Sequence, residues 1–196
     1  MASDVESIDA IITATYDVIS GPAGKKRDWD RMRSLFFPGS RLIPTAKEAG
    51  RDDVAGPSED GQLLQTSGKP ATKAPTRSSW ATQPVGSTGC PAGAKRVDLA
   101  PNILDVNGFI ARAEPILEKD GFYETEIARR VEHFGHLAHV WSTYESRRDP
   151  SDAQPFMRGI NSIQLFHDGI RWWIVTIYWQ HESSVDPVPA KYLKSN

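Results

Sequence analysis

The 196-residue chain predicts an α+β domain in which helices come first and antiparallel strands follow. Three observations carry that reading. Apolar residues recur at helical spacing in the N-terminal part. From Phe122 onward they fall into strand-like runs instead. Two turn signals, Gly135-His136 and Asp168-Gly169, cut that second region into hairpins.

The elements follow in order. Ser3 with Glu6 three residues on reads as a capping box. Val5, Ile8, Ile12, Tyr16 and Ile19 then share one helical face, and Gly21-Pro22 closes it. A second, shorter helix starts near Asp28 and runs through Met32 and Leu35 to Phe36, stopped by Pro38-Gly39. Arg41-Leu42-Ile43 makes a short strand before Pro44. A third helix spans Val106 to Leu117, with Pro115 predicting a kink or an early end.

Between these pieces lies a segment of another kind. Residues 46–102 hold 7 Gly and 6 Pro but few large apolar residues, and show neither period. Such a stretch buries too little to offset its ordering entropy. It reads as an irregular insert, or as a lid or docking segment anchored by Trp80 and Leu63-Leu64. The chain, 1–196, is then one domain interrupted at 46–102.

Composition excludes several function classes. Lys+Arg number 23 against 25 Asp+Glu, a net charge of −2, and the charges are interspersed, so nucleic acid is not an expected partner. No apolar run is long enough for a membrane helix, and the acidic start is unlike a secretory leader, so a cytoplasmic protein is expected. The single cysteine, Cys90, can neither close an internal disulfide nor build a thiolate metal site. Nothing implies a cofactor. His133, His136 and His139 resemble a metal run, but a hairpin turn at Gly135-His136 sends His133 and His139 to opposite faces, so no metal is expected.

The predicted hairpins place residues face to face. A two-residue turn at Asp168-Gly169 pairs Leu165 with Trp172, Ile163 with Ile174, Asn161 with Thr176 and Gly159 with Tyr178 on one side. The other side collects Trp173, Val175, Ile177 and Trp179. Both faces are apolar, and helices can cover only one. The second is expected to be a homodimer interface, unless the insert or the C-terminal tail lies over it. The turn at Gly135-His136 likewise pairs Val131 with Val140, Arg129 with Ser142 and Ile127 with Tyr144 on the core side. Glu132 opposite His139 and Arg130 beside Trp141 are read as a surface ion pair and a cation–π pair.

The ligand-pocket candidates on the core side are Tyr16, Arg129, Ser142, Tyr144, Asn161, Trp172, Thr176 and Tyr178. An inward Arg129 needs an acidic partner: Asp17, an aspartate of the second helix, or a ligand's acidic group. No catalytic residue is assigned.

The run Asp28-Trp29-Asp30-Arg31-Met32-Arg33-Ser34-Leu35-Phe36-Phe37-Pro38-Gly39-Ser40-Arg41-Leu42-Ile43 after an amphipathic helix, and the ending Asp168-Gly169-Ile170-Arg171-Trp172-Trp173-Ile174-Val175, resemble the nuclear transport factor 2-like superfamily, in particular its SnoaL-like branch. The resemblance covers about residues 4–45 and 104–182. It implies a cone-like barrel, a curved antiparallel sheet wrapped around the N-terminal helices, with a pocket at the open end and dimerisation through the sheet. It also implies isomerase, dehydratase or cyclase chemistry, or binding and assembly without catalysis. The isomerases of that family use a carboxylate base just after the strand that follows the second helix. Ile43-Pro44-Thr45 stands there and cannot abstract a proton. Tyr16 falls where they carry an oxyanion-stabilising tyrosine, a position equally suited to a core tyrosine. Two readings result: a binder or enzyme of a small apolar or carboxylated, cyclic carbonyl metabolite, and a non-catalytic dimeric scaffold.

Overall fold

A computed structural model describes residues 2–45 and 102–195. Most of the insert lies outside the described residues, and so does Cys90. Three helices, α1 (Ile8–Ile19), α2 (Trp29–Leu35) and α3 (Val106–Asp120), accompany five strands. The strands are β1 (Phe36–Pro44), β2 (Tyr123–Phe134), β3 (Leu137–Arg147), β4 (Met157–His167) and β5 (Trp172–His181). They form one sheet in the order β1-β5-β4-β3-β2, with β1 parallel to β5 and every other pair antiparallel. The sheet is open: β1 and β2 are its edges, so the barrel expected from the sequence does not close among the described residues.

The helix starts are set by short polar side chains. Ser7, not Ser3, caps α1, its hydroxyl accepting from the Ala10 N–H at 3.0 Å. Residues Ala2–Val5 instead form a 3₁₀ turn, whose Asp4 makes a two-point contact with the Arg31 guanidinium, at 2.9 and 3.1 Å. Asp28 caps α2 and Asp105 caps α3. α3 runs through Pro115 to Asp120 and ends at Gly121 in a left-handed conformation, φ 65°.

The core lies between the helices and one face of the sheet. Ile11 and Ile12 of α1, Leu35 of α2, Val140, Ile163, Leu165 and Ile174 are buried. Each such side chain contributes about 1.5–3 kcal/mol by leaving water. Arg27 adds a polar clamp. Its guanidinium is buried and donates to the backbone carbonyls of Ile19, Gly21, Pro22, Lys25 and Leu117. It therefore joins the end of α1 to the last turn of α3. Gly21 has no Cβ for a reason of space: one would meet the guanidinium at 2.9 Å.

Two extra residues set which side chains face the core, and a lengthened turn shifts one register without changing faces. The β2–β3 hairpin keeps the predicted register from Phe134↔Leu137 to Ala128↔Thr143. There Ile127 is an extra residue, and beyond it Glu126 pairs with Tyr144 and Glu124 with Ser146. Ile127 faces out, 41% exposed, instead of opposing Tyr144. At the other hairpin Asp168 Oδ1 accepts from the N–H groups of Ile170 and Arg171, both at 2.8 Å, which lengthens the turn. Leu165 thus pairs with Ile174, not Trp172, a two-residue slip that leaves the faces unchanged. Val175 is then the extra residue of β5, and from there the faces exchange: Thr176 pairs with Gln164, Ile177 with Ile163, Tyr178 with Ser162 and Trp179 with Asn161.

Four site expectations change with that exchange. Thr176 and Tyr178 do not join Asn161; they lie on the outer face, Tyr178 43% exposed. Ile177 and Trp179 are not on the outer face: Ile177 is buried in the core and Trp179 packs against it. Trp173 lies on the outer face opposite Phe166, its ring 5.8 Å from Phe37, while Val175 sits at the bulge.

Part of the outer face is covered by the C-terminal tail. The Tyr192 ring lies 5.3 Å from Trp141, its carbonyl accepts from the Thr143 hydroxyl, and Ser195 Oγ accepts from the Arg129 N–H. Trp141 is therefore flanked by Tyr192 and by His139, 5.0 Å away. His139 Nε2 is in turn bonded to Ser162 Oγ at 2.9 Å.

Candidate functional site

On the helix-covered face the cross-strand rows change character from one end of the sheet to the other. The rows Val131–Val140–Ile163–Ile177 and His133–Ala138–Leu165–Ile174 are mainly apolar. Three rows at the opposite end are polar: Arg129–Ser142–Asn161–Trp179, Glu126–Tyr144–Gly159–His181 and Glu124–Ser146–Met157. Six of the eight pocket candidates belong on this face, but Trp172 lies at the apolar end, between His133 (5.4 Å) and His167 (4.9 Å). Thr176 and Tyr178 are on the far side of the sheet.

Tyr16 of α1 reaches into the polar rows. Its hydroxyl is 2.6 Å from Ser142 Oγ and 3.1 Å from Asn161 Nδ2, and Ser142 is also bonded to Glu126. A carboxylate only accepts, so Ser142 donates to Glu126. Ser142 then has no second hydrogen, so Tyr16 donates to Ser142 and accepts from Asn161. The polarity Asn161→Tyr16→Ser142→Glu126 is thereby set. Tyr16 is buried, and burial together with the Glu124 charge pushes its hydroxyl above the ordinary tyrosine value. Its proton is committed to Ser142, so it is a link in a chain and not a free donor toward a carbonyl.

Arg129 closes the chain at the rim. Its guanidinium grips Glu126 through Nε and Nη2, and contacts Asp9 through Nη1. Neither Asp17 nor an aspartate of α2 is its partner, because Asp17 is held by Arg31. Glu126 and Asp9 supply the charges that the sequence reading sought elsewhere.

Glu124 is the residue that sequence reading missed. It keeps some accessible surface as a residue, yet its carboxyl sits among protein atoms, and burial pushes it up to about 7. The donors that hold it are neutral: Ser146 Oγ at 3.0 Å and the Asn161 side chain. Among the described residues no cation touches it. Tyr144 stands alongside, buried, with its hydroxyl 2.9 Å from His181 Nδ1.

Gly159 makes room for Tyr144. A Cβ there would fall 2.5 Å from the Tyr144 hydroxyl and still closer to the Gln180 carbonyl oxygen, which is backbone and cannot swing away. Gly159→Ala is expected to lower stability by about 2 kcal/mol. Urea unfolding checks this; an unchanged midpoint would refute the packing described.

Two cavities open elsewhere. One of about 230 Å³ lies on the outer face among Phe134, Leu137, Phe166 and Val175. Another, of about 310 Å³, lies between α2 and α3 beside Trp29, Asp30, Arg33 and Glu114. The space around Tyr16, Ser142 and Asn161 is filled by the side chains themselves, all three being buried. Glu124, Met157, Trp179, His181 and Phe109 of α3 keep partial exposure, as do Glu126 and Arg129 of the same rows. No group of His, Cys, Asp and Glu among the described residues is arranged to hold a metal ion, and none of their helices is long and apolar enough to cross a membrane.

No family model and no curated protein matches this chain. Among solved structures it is similar to an NTF2-like protein of unknown function from Shewanella baltica OS155. Identity is 12%, the match covers 91% of this chain and 98% of that one, and the TM-score is 0.45. The description of that neighbour assigns it no activity.

Proposed function

We propose that this protein binds a small molecule at the polar end of the helix-covered face, with Glu124 as the group that exchanges a proton there. One observation supports this above the others. A carboxyl lies on the inner face, held among the described residues by neutral donors and pushed up to about 7, where it both gives and takes a proton near neutrality. Three other shielded carboxylates are arranged otherwise. Asp4, Glu126 and Glu145 each face an arginine. Asn161, shared between Glu124 and Tyr16, positions the carboxyl. The reaction class that fits is proton transfer in an isomerisation or elimination, with Glu124 in the place of the base that Ile43-Pro44-Thr45 does not supply.

Thermal stabilisation by a metabolite library tests this on the wild-type chain beside Glu124→Gln and Asn161→Ala. A compound at a hundred times its Kd adds about 2.7 kcal/mol to the wild type. Both variants are expected to lose most of that gain. Hits that stabilise all three proteins equally would sink the reading.

A second reading has an observation of its own. Phe37, Phe166 and Trp173 cluster on the outer face, with ring centroids 5.7 and 5.8 Å apart, Phe37 and Phe166 being exposed. A homodimer formed on the β4–β5 half of that face would cover them. Sedimentation at micromolar concentration decides it, a monomer counting against the dimer.

A further inference from the structure

The charges around the polar rows are unevenly distributed. Among the described residues of the polar rows Arg129 carries the guanidinium, and it is shared by Glu126 and Asp9. Outside the rim, Arg158 serves Glu145 and Glu182, and Arg147 serves Glu145. Arg148 lies over the Phe156 ring, 4.4 Å from its centroid. Glu124 is left with neutral donors on every side the described residues provide. The titratable groups facing it are Tyr16 from α1, Glu126 from β2, Tyr144 from β3 and His181 from β5. The wall beside Asn161 is aromatic: Trp179 and Phe109 meet edge to face with centroids 6.2 Å apart.

We infer that the ligand of this site presents a protonated amine on an apolar body, the ammonium meeting Glu124 and the body lying against Trp179 and Phe109. This rests on the ligand-site reading above and narrows its substrate class. An ammonium supplies the countercharge that no described residue gives Glu124, and an aromatic wall favours a cation over a neutral group. A carboxylate ligand would meet Glu124 and Glu126, while Arg129, the guanidinium of the described polar rows, is already shared by Glu126 and Asp9. The carboxylated metabolite expected from Arg129 is therefore replaced by a basic one.

Binding then competes with the proton on Glu124. Three probes of one shape separate the outcomes: cyclohexylmethylamine, cyclohexylmethanol and cyclohexanecarboxylate, titrated into the ¹⁵N-labelled full chain and followed at Glu124, Ser146, Asn161 and His181. The amine is expected to bind at least about tenfold more tightly than the alcohol at pH 8, and to weaken about tenfold at pH 6 as the carboxyl protonates. The carboxylate is expected to shift none of these resonances. Glu124→Gln removes the amine's advantage, and the wild-type pH dependence stands as a test independent of that variant. An alcohol as tight as the amine, or an amine indifferent to pH, overturns the inference while leaving a ligand site in place. Failure of all three probes to move these residues overturns it and counts against the site itself.

Discussion

Arg27→Met is expected to lower unfolding stability by about 4 kcal/mol, the largest polar effect expected among the described residues. The guanidinium donates to five backbone carbonyls from two stretches of chain, residues 19–25 and Leu117, and it is 7% exposed. Burial lowers its affinity for a proton, which measures how little water remains to hold the charge. Methionine fills much of the volume but donates nothing, so the carbonyls at the end of α1 and the last turn of α3 are stranded together. Lysine restores the charge at one point instead of a planar fork and is expected to recover less than half of the loss. Urea unfolding of the three proteins measures this. A deficit under about 1 kcal/mol for the methionine variant would show that the clamp is ornamental.

Glu124 predicts a pH effect whose sign is opposite to that of most carboxylates. Its folded value, about 7, is above the ordinary 4.5, so between those limits the native state holds more protons than the unfolded chain. Stability therefore falls as pH rises from about 5 to 8, by up to about 3 kcal/mol, and the full cost is present above 7. Glu124→Gln removes the ionisation but keeps the shape. It is expected to leave stability near pH 5 little changed and to raise it at pH 8. Asp4 and Asp168, both held down to about 2, act the other way. Their contributions are complete above the ordinary aspartate value of 3.8 and fade only as pH drops toward 2, outside the window. Chemical denaturation at pH 5, 6, 7 and 8 compares the two chains. Parallel profiles would mean that Glu124 ionises normally in the fold.

Much of the fold was legible because it rests on periodicity and turn chemistry. The α1 stripe, the Asp28 start of α2 and the β2–β3 register near Gly135-His136 all follow from local signals. The site was legible only in part. Ser142 and Asn161 meet Tyr16 as the alternation implies, because no extra residue stands on β3 between Ser142 and the turn at Gly135-His136, or on β4 between Asn161 and the turn at Asp168-Gly169. Thr176 and Tyr178 do not, since Val175 stands between them and their own turn. Glu124 and Glu126 were hidden for the same reason: strict alternation puts Ile127 inside and both glutamates outside. Ile127 is an ordinary strand residue, and nothing local marks it as supernumerary. Serines at 142 and 146 were the available hint, two small hydroxyls on the core face of β3 awaiting acceptors.

The Ile127 bulge has a consequence for heredity. Alternation along a strand works as a parity, and one inserted residue inverts it for everything beyond. The inner carboxylates of this sheet are thus tied to a count and not to a motif. A descendant that lost Ile127 while keeping every glutamate would turn both of them outward, with its composition almost intact. One that lost Ile127 and gained an acid at a neighbouring position would keep the chemistry under a different residue number. In this sheet, ancestry is better traced by facing than by chain position.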